Sequence, residues 1–153
     1  MEMTRGEAAK ERFQNGYNCA QAVLLSFSDL TGLDEKTAMR IASSFGGGMG
    51  RLREVCGAVS GMFMAAGLIY GQDAVPDNKE KSAHYAMLQG LAARFREENG
   101  SIVCRELLAG VTRDTSPNAE PRTEAYYKKR PCGELCAMAA EILDAYIKEN
   151  PVE

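Results

Sequence analysis

Residues 45–71, FGGGMGRLREVCGAVSGMFMAAGLIYG, run from a glycine-rich turn into an apolar helix with a cysteine at the join, which leaves few ways to arrange the remainder. Gly46, Gly47, Gly48, Gly50 and Gly57 crowd into this segment, so the backbone can take positive φ and let another segment or a ligand approach closely. From Cys56 the pattern turns helical. Gly57, Gly61 and Ala65 recur every four residues on one side, while Val59, Met62, Phe63, Ala66, Ile69 and Tyr70 cover much of the rest. A helix that is apolar nearly all round is buried and central. Its glycines cost about 1 kcal/mol each against alanine, which implies a packing or site reason for them.

The chain has 153 residues, enough for a single domain that buries about 70% of its unfolded surface without needing disulfides. A net charge of -3, with no basic run, speaks against nucleic acid as a general partner. The segment MEMTRGEAAKERF lacks the apolar core of an export signal, and no stretch approaches the ~20 apolar residues of a membrane span. The expectation is a cytoplasmic protein. Five cysteines, an odd number at wide spacing, suit reactive or ligating thiols in a reducing compartment better than a disulfide framework.

The remaining elements also read as helices. Thr4 and Glu7 form a capping-box pattern for a helix over residues 5–14, and Asn18 caps a second over about 19–30. Asp34 caps a third over 35–44, which ends in the glycine turn, and the central helix is expected over about 54–70. Pro76 and Asp77 precede a long amphipathic helix to about Glu98, with His84, Met87, Leu88, Leu91 and Phe95 near one face. Ser101 caps a short helix with Cys104 at its third position, and Pro131 opens the last helix. Between them, residues 112–123 are polar with two prolines and read as one long surface loop. No segment alternates like a strand. The fold class is therefore all-α, a bundle of six or seven helices around the buried helix that follows Cys56.

Cys19, Cys56, Cys104 and Cys132 each fall in the first turn of a predicted helix. Helix N-termini carry partial positive charge and free N–H donors, which stabilise a thiolate. Arg51 and Arg53 before Cys56, Arg105 after Cys104 and Arg130 before Cys132 add local cations. Thiolate is the form that attacks disulfides and binds soft metals. The bland reading is that free cysteine is among the most buried residue types, so any one of these could be inert core. Cys136 shares a face with Cys132, Ala139, Ala140 and Leu143 and reads as core.

Other chemistries fit less well. No CxxC pair is present and the cysteine separations match no usual zinc or ferredoxin spacing, although a metal site can assemble from distant helices. The glycine turn follows a helix rather than a strand and lacks GK[ST], which disfavours a phosphate loop. His84 is the only histidine, and no Cys-His-Asn pattern marks a cysteine hydrolase.

Residues 56–61, CGAVSG, resemble the CGAxxG signature of the C_GCAxxG_C_C family of redox-active proteins. The FGGGMGR lead-in is similar too, and the likeness spans residue 17 to about residue 143. The family has four shared cysteines, one ahead of the motif and two behind it. The resemblance implies that NCAQAVL supplies Cys19, the motif Cys56, CREL Cys104 and PCGEL Cys132, with Cys136 as an extra.

The expected function is thiol–disulfide exchange by these four cysteines, that of a thiol-dependent oxidoreductase, with Cys56 as attacker because of the glycine turn and its two arginines. Its partner would be a redox protein or a small oxidant, and a homo-oligomer is compatible. One alternative is a zinc or iron–sulfur site on Cys19, Cys56, Cys104 and Cys132. Another is a helical interaction module with inert cysteines.

Overall fold

The computed structural model describes residues 2–152. In chain order the helices are α1 (Arg5–Gln14), α2 (Cys19–Leu25), α3 (Ser28–Thr31), α4 (Glu35–Ala42), α5 (Gly57–Tyr70), α6 (Asn78–Asn99), α7 (Cys104–Leu107), α8 (Glu124–Lys129) and α9 (Cys132–Glu149). A short 3-10 turn, Ser43–Phe45, follows α4. The protein is all-α, and strand-like pairing among the described residues is limited to one antiparallel bridge between Val55 and Val103.

The sequence led to six or seven helices, and two short ones account for the difference. The helix expected over 19–30 breaks at Ser26, whose hydroxyl donates back to the Val23 carbonyl at 2.6 Å, and Phe27 leaves helical geometry before α3 starts. Thr123 caps α8, which the expected approach to the last helix did not include. Elsewhere local signals act as read. Capping boxes close at Thr4 and Glu7, at Asn18 and Gln21, and at Asp77 and Glu80.

The small-residue side of α5 decides how the bundle packs. A Cβ on Gly61 would stand 2.6 Å from the Ala20 carbonyl oxygen, and one on Gly57 would stand 2.9 Å from the Cys19 Cβ. Glycine at both positions lets the α2 backbone lie directly on α5. Val59, Met62, Ala65 and Ala66 are buried there with Val23, Leu24 and Phe27. Each large apolar side chain so buried contributes about 1.5–3 kcal/mol. Only the end of α5 surfaces, where Leu68 is 45% exposed.

A second seam joins α1 to α9 by polar contacts. Arg5 meets Asp144 at 3.0 Å, the Gly6 N–H donates to Glu141 at 2.9 Å, and Lys10 pairs with Glu134. The α9 face that turns inward presents Leu135, Cys136, Ala139, Ala140 and Leu143 to the core. This seam fixes the start of α9, and hence Cys132, near the start of α2. No helix among the described residues is long and apolar enough to cross a membrane.

Candidate thiol site

Each of four cysteines reaches one cavity by its own route. Cys19 is the first residue of α2 and Cys132 the first of α9. Cys56 is the N-cap of α5 rather than a residue inside it, and Cys104 opens α7 rather than standing at its third position. The Val55–Val103 bridge sets these last two side by side: the Cys56 N–H donates to the Ile102 carbonyl at 2.8 Å and the Cys104 N–H to the Glu54 carbonyl at 2.6 Å. Cys19, Cys56, Cys104 and Cys132 all line a cavity of about 320 Å³. All five cysteines are free thiols, and no pair stands at disulfide distance.

The glycine-rich turn makes this arrangement possible by winding left-handed. Gly47, Gly48, Met49, Gly50 and Arg51 all have φ between 62° and 75°, and Arg53 repeats this at 61°. For a residue with a side chain the left-handed region costs roughly 1–2 kcal/mol, so Met49, Arg51 and Arg53 concentrate strain at the cavity. Gly48 is also held by space. A Cβ there would lie 2.6 Å from the Cys104 Cβ and 2.8 Å from the Glu54 nitrogen.

Four arginines surround the thiols. Arg51 pairs with Asp114 at 3.0 Å and donates to the Ser116 carbonyl at 2.8 Å, and Arg130 pairs with Glu120. Arg122 lies over the Phe13 and Tyr126 rings and donates to the Phe13 and Tyr17 carbonyls at 3.1 and 3.3 Å. Arg53 donates from Nε to the Asp114 carbonyl at 2.9 Å and brings Nη1 to 3.8 Å from the Cys104 sulfur. The loop over residues 112–123 is thus stitched across the cavity rather than lying free on the surface, and Pro117, Ala119 and Glu120 form part of its wall.

The electrostatics correct the sequence expectation of low thiol pKa values. Burial pushes Cys56 up to about 12, against the pull of the Ala58 and Val59 backbone N–H groups. The neighbouring Cys19 thiol, then burial, raise Cys132. For Cys19 the Cys132 contact lowers the pKa, but contact with Cys136 and burial outweigh it. Cys136, lowered by Cys19, is raised in net by burial and by the other thiols. Burial raises Cys104 as well, but Arg53 works against it by hydrogen bond and by charge. Desolvation of a thiolate outweighs a helix N-terminus when the sulfur is this deep.

The arginine expected to serve Cys56 therefore serves Cys104 instead. Arg105, expected to assist Cys104, reaches Glu54 at the surface. Cys136, read as core, is fully buried yet touches the cluster from behind, with its sulfur 3.9 Å from the Cys19 carbonyl. Its spacing of four residues from Cys132 was the available signal. His84 lies on α6 and does not line the cavity. Among the described residues no group of three or more His, Cys, Asp or Glu side chains is arranged to hold a metal ion, so the zinc or iron–sulfur alternative draws no support from geometry.

Helices that carry several free thiols into one arginine-lined cavity define a cysteine-based site in an all-α scaffold. The sequence profile of a family described as "Putative redox-active protein (C_GCAxxG_C_C)" matches residues 17–146. The chain belongs to that redox-active family. No curated protein and no solved structure matches it.

Proposed function

We propose that the protein carries out thiol–disulfide exchange, with Cys104 as the attacking thiol and Cys132 as the resolving one. The observation that carries this reading is the meeting of four thiols from four separate helices at one cavity. Cys104 has the Arg53 guanidinium 3.8 Å from its sulfur, which favours the ionised form. Cys132 lines the same cavity from the start of α9. In the cycle the Cys104 thiolate attacks one sulfur of a disulfide, forming a mixed disulfide and expelling the other half as thiolate. Cys132, losing its proton, attacks the Cys104 sulfur and expels the second half. The reactant gains two electrons and leaves as two thiols, while Cys104 and Cys132 become joined.

Because no pair stands at disulfide distance, closing this bond requires side-chain and local backbone movement. The same thiols, all unpaired, suit a reducing cytoplasm. Mild oxidation is expected to lower the free thiol count by two and yield a Cys104–Cys132 cross-linked peptide, and Cys132→Ser is expected to accumulate the mixed disulfide. Anaerobic purification that returns about one iron or zinc per chain, lost on Cys56→Ser, would replace this mechanism with a metal centre.

A further inference from the structure

The cavity holds more positive charge than its own carboxylates balance. Glu120 is the lone acidic side chain in its lining, against Arg51, Arg53, Arg122 and Arg130. Arg51 pairs with Asp114 and Glu120, and Arg130 pairs with Glu120. Arg53 and Arg122 have no carboxylate at ion-pair distance among the described residues; aromatic faces and backbone carbonyls hold Arg122. Arg53 is only 3% exposed, and its Nη2 finds no hydrogen-bond partner at all. A buried guanidinium with an unused N–H pair is costly unless something else occupies it, because buried donors in stable proteins are almost always satisfied.

We propose that Arg53 binds an oxyanion in this cavity, and that the reactant of Cys104 is a small disulfide bearing such a group, a carboxylate. The substrate part of this proposal rests on the exchange reading above; the oxyanion part does not. The geometry favours a small molecule over a protein. Cys104 is 6% exposed at the wall of a 320 Å³ cavity, and a disulfide embedded in a folded partner could not bring its sulfur there. Arg53 offers Nη1 to the Cys104 sulfur and leaves Nη2 beside it, so one guanidinium would hold the thiolate and the reactant's carboxylate in adjacent places.

Two measurements test the proposal separately. Calorimetric titration of the reduced protein with sodium sulfate, at ionic strength held constant with sodium chloride, is expected to show saturable binding of about one sulfate per chain that is lost in Arg53→Gln. No saturable heat in the wild type overturns the oxyanion site, and that arm stands even if Arg53→Gln fails to fold. Stopped-flow oxidation is then compared for dithiodipropionate, which is anionic, and bis(2-hydroxyethyl) disulfide, which is neutral, each referenced to its rate with a free thiol. The anionic reagent is expected to be favoured at least about tenfold, as charge-assisted hydrogen bonds imply, with the preference kept in Arg53→Lys and abolished in Arg53→Gln. Equal referenced rates overturn the substrate class. Sulfate binding without oxidation by either reagent upholds the oxyanion site and overturns the exchange reading beneath it.

Discussion

The thiol cluster has two unlike halves. On one side Cys104 sits in a polar wall, next to Arg53 and the left-handed turn, and its pKa rise is opposed by a cation. On the other, Cys19 is in contact with both Cys132 and Cys136, and contact with a neighbouring thiol, Cys132 or Cys19, is the largest influence on each. The first half is strained and charged; the second is packed. The proposed roles follow that difference. Ionisation is favoured at Cys104, where Arg53 opposes burial, whereas at Cys132 the Cys19 contact and burial outweigh the nearby Arg130, which suits Cys132 better to receiving a disulfide than to starting the exchange.

The largest expected effect comes from filling the space between the halves and the scaffold. Gly48→Ala places a methyl against Cys104 and the Glu54 nitrogen at a φ of 75°, whereas Gly57→Ala places one against Cys19 and the Phe45 carbonyl at an ordinary φ. Strain and overpacking together predict a loss of about 2–4 kcal/mol for Gly48→Ala. Overpacking alone predicts about 1–3 kcal/mol for Gly57→Ala. Urea unfolding of both variants gives the order, and a Gly48→Ala protein as stable as the wild type would mean that the turn is not held as described.

The pH dependence separates the halves next. Cys56, between them, has its folded pKa pushed up to about 12, well above that of an unfolded cysteine near 8.5. The unfolded chain therefore loses this proton first, and stability present below pH ~8.5 drains away as pH rises toward 12. The slope for one such group is at most about 1.4 kcal/mol per pH unit. Other buried thiols add to the same fall, so the informative quantity is the difference. Cys56→Ala should flatten the curve of unfolding free energy between pH 9 and pH 11, and an unchanged slope would contradict deep burial of this sulfur. At Cys104 the sign is read from reactivity instead. Arg53→Lys, which keeps a positive charge there, should leave the pH midpoint of Cys104 alkylation nearly in place. Arg53→Gln should move it upward, since the cation that favours the thiolate is gone.

How far these halves were legible from the residues alone follows the range of the forces involved. Capping is local, so Thr4, Asn18, Asp34 and Asp77 announced their helices within a residue of where they start. The glycine periodicity of α5 announced a close neighbour, and α2 is that neighbour. Arg53 shows the limit. From its place three residues before Cys56 it was assigned to that thiol, yet a positive φ turns its side chain toward Cys104 on another element. The Val55–Val103 bridge was equally hidden, since a single pair of backbone bonds leaves no alternation to read. Burial itself defeated the expectation of acidic thiols, because desolvation depends on tertiary packing and helix-terminal charge does not.

The smallest effect expected is at Cys136, and it bears on whether the packed half has a working thiol besides Cys132. Cys136 is completely buried on α9, one turn beyond Cys132, and does not line the cavity. Replacing it by alanine removes one sulfur from a dense apolar neighbourhood, which predicts a loss of about 1 kcal/mol. It also removes the weak contact to the Cys19 carbonyl and the influence of Cys136 on the Cys19 thiol, which is upward. Cys19 in the variant should therefore ionise at slightly lower pH, while the Cys104–Cys132 disulfide forms at an unchanged rate and still consumes two thiols. Peptide mapping of the oxidised Cys136→Ala protein checks this directly. If the cross-link vanishes or moves to Cys19, then the thiol behind the cavity takes part in the exchange, and the division between a reacting wall and a packed interior does not hold.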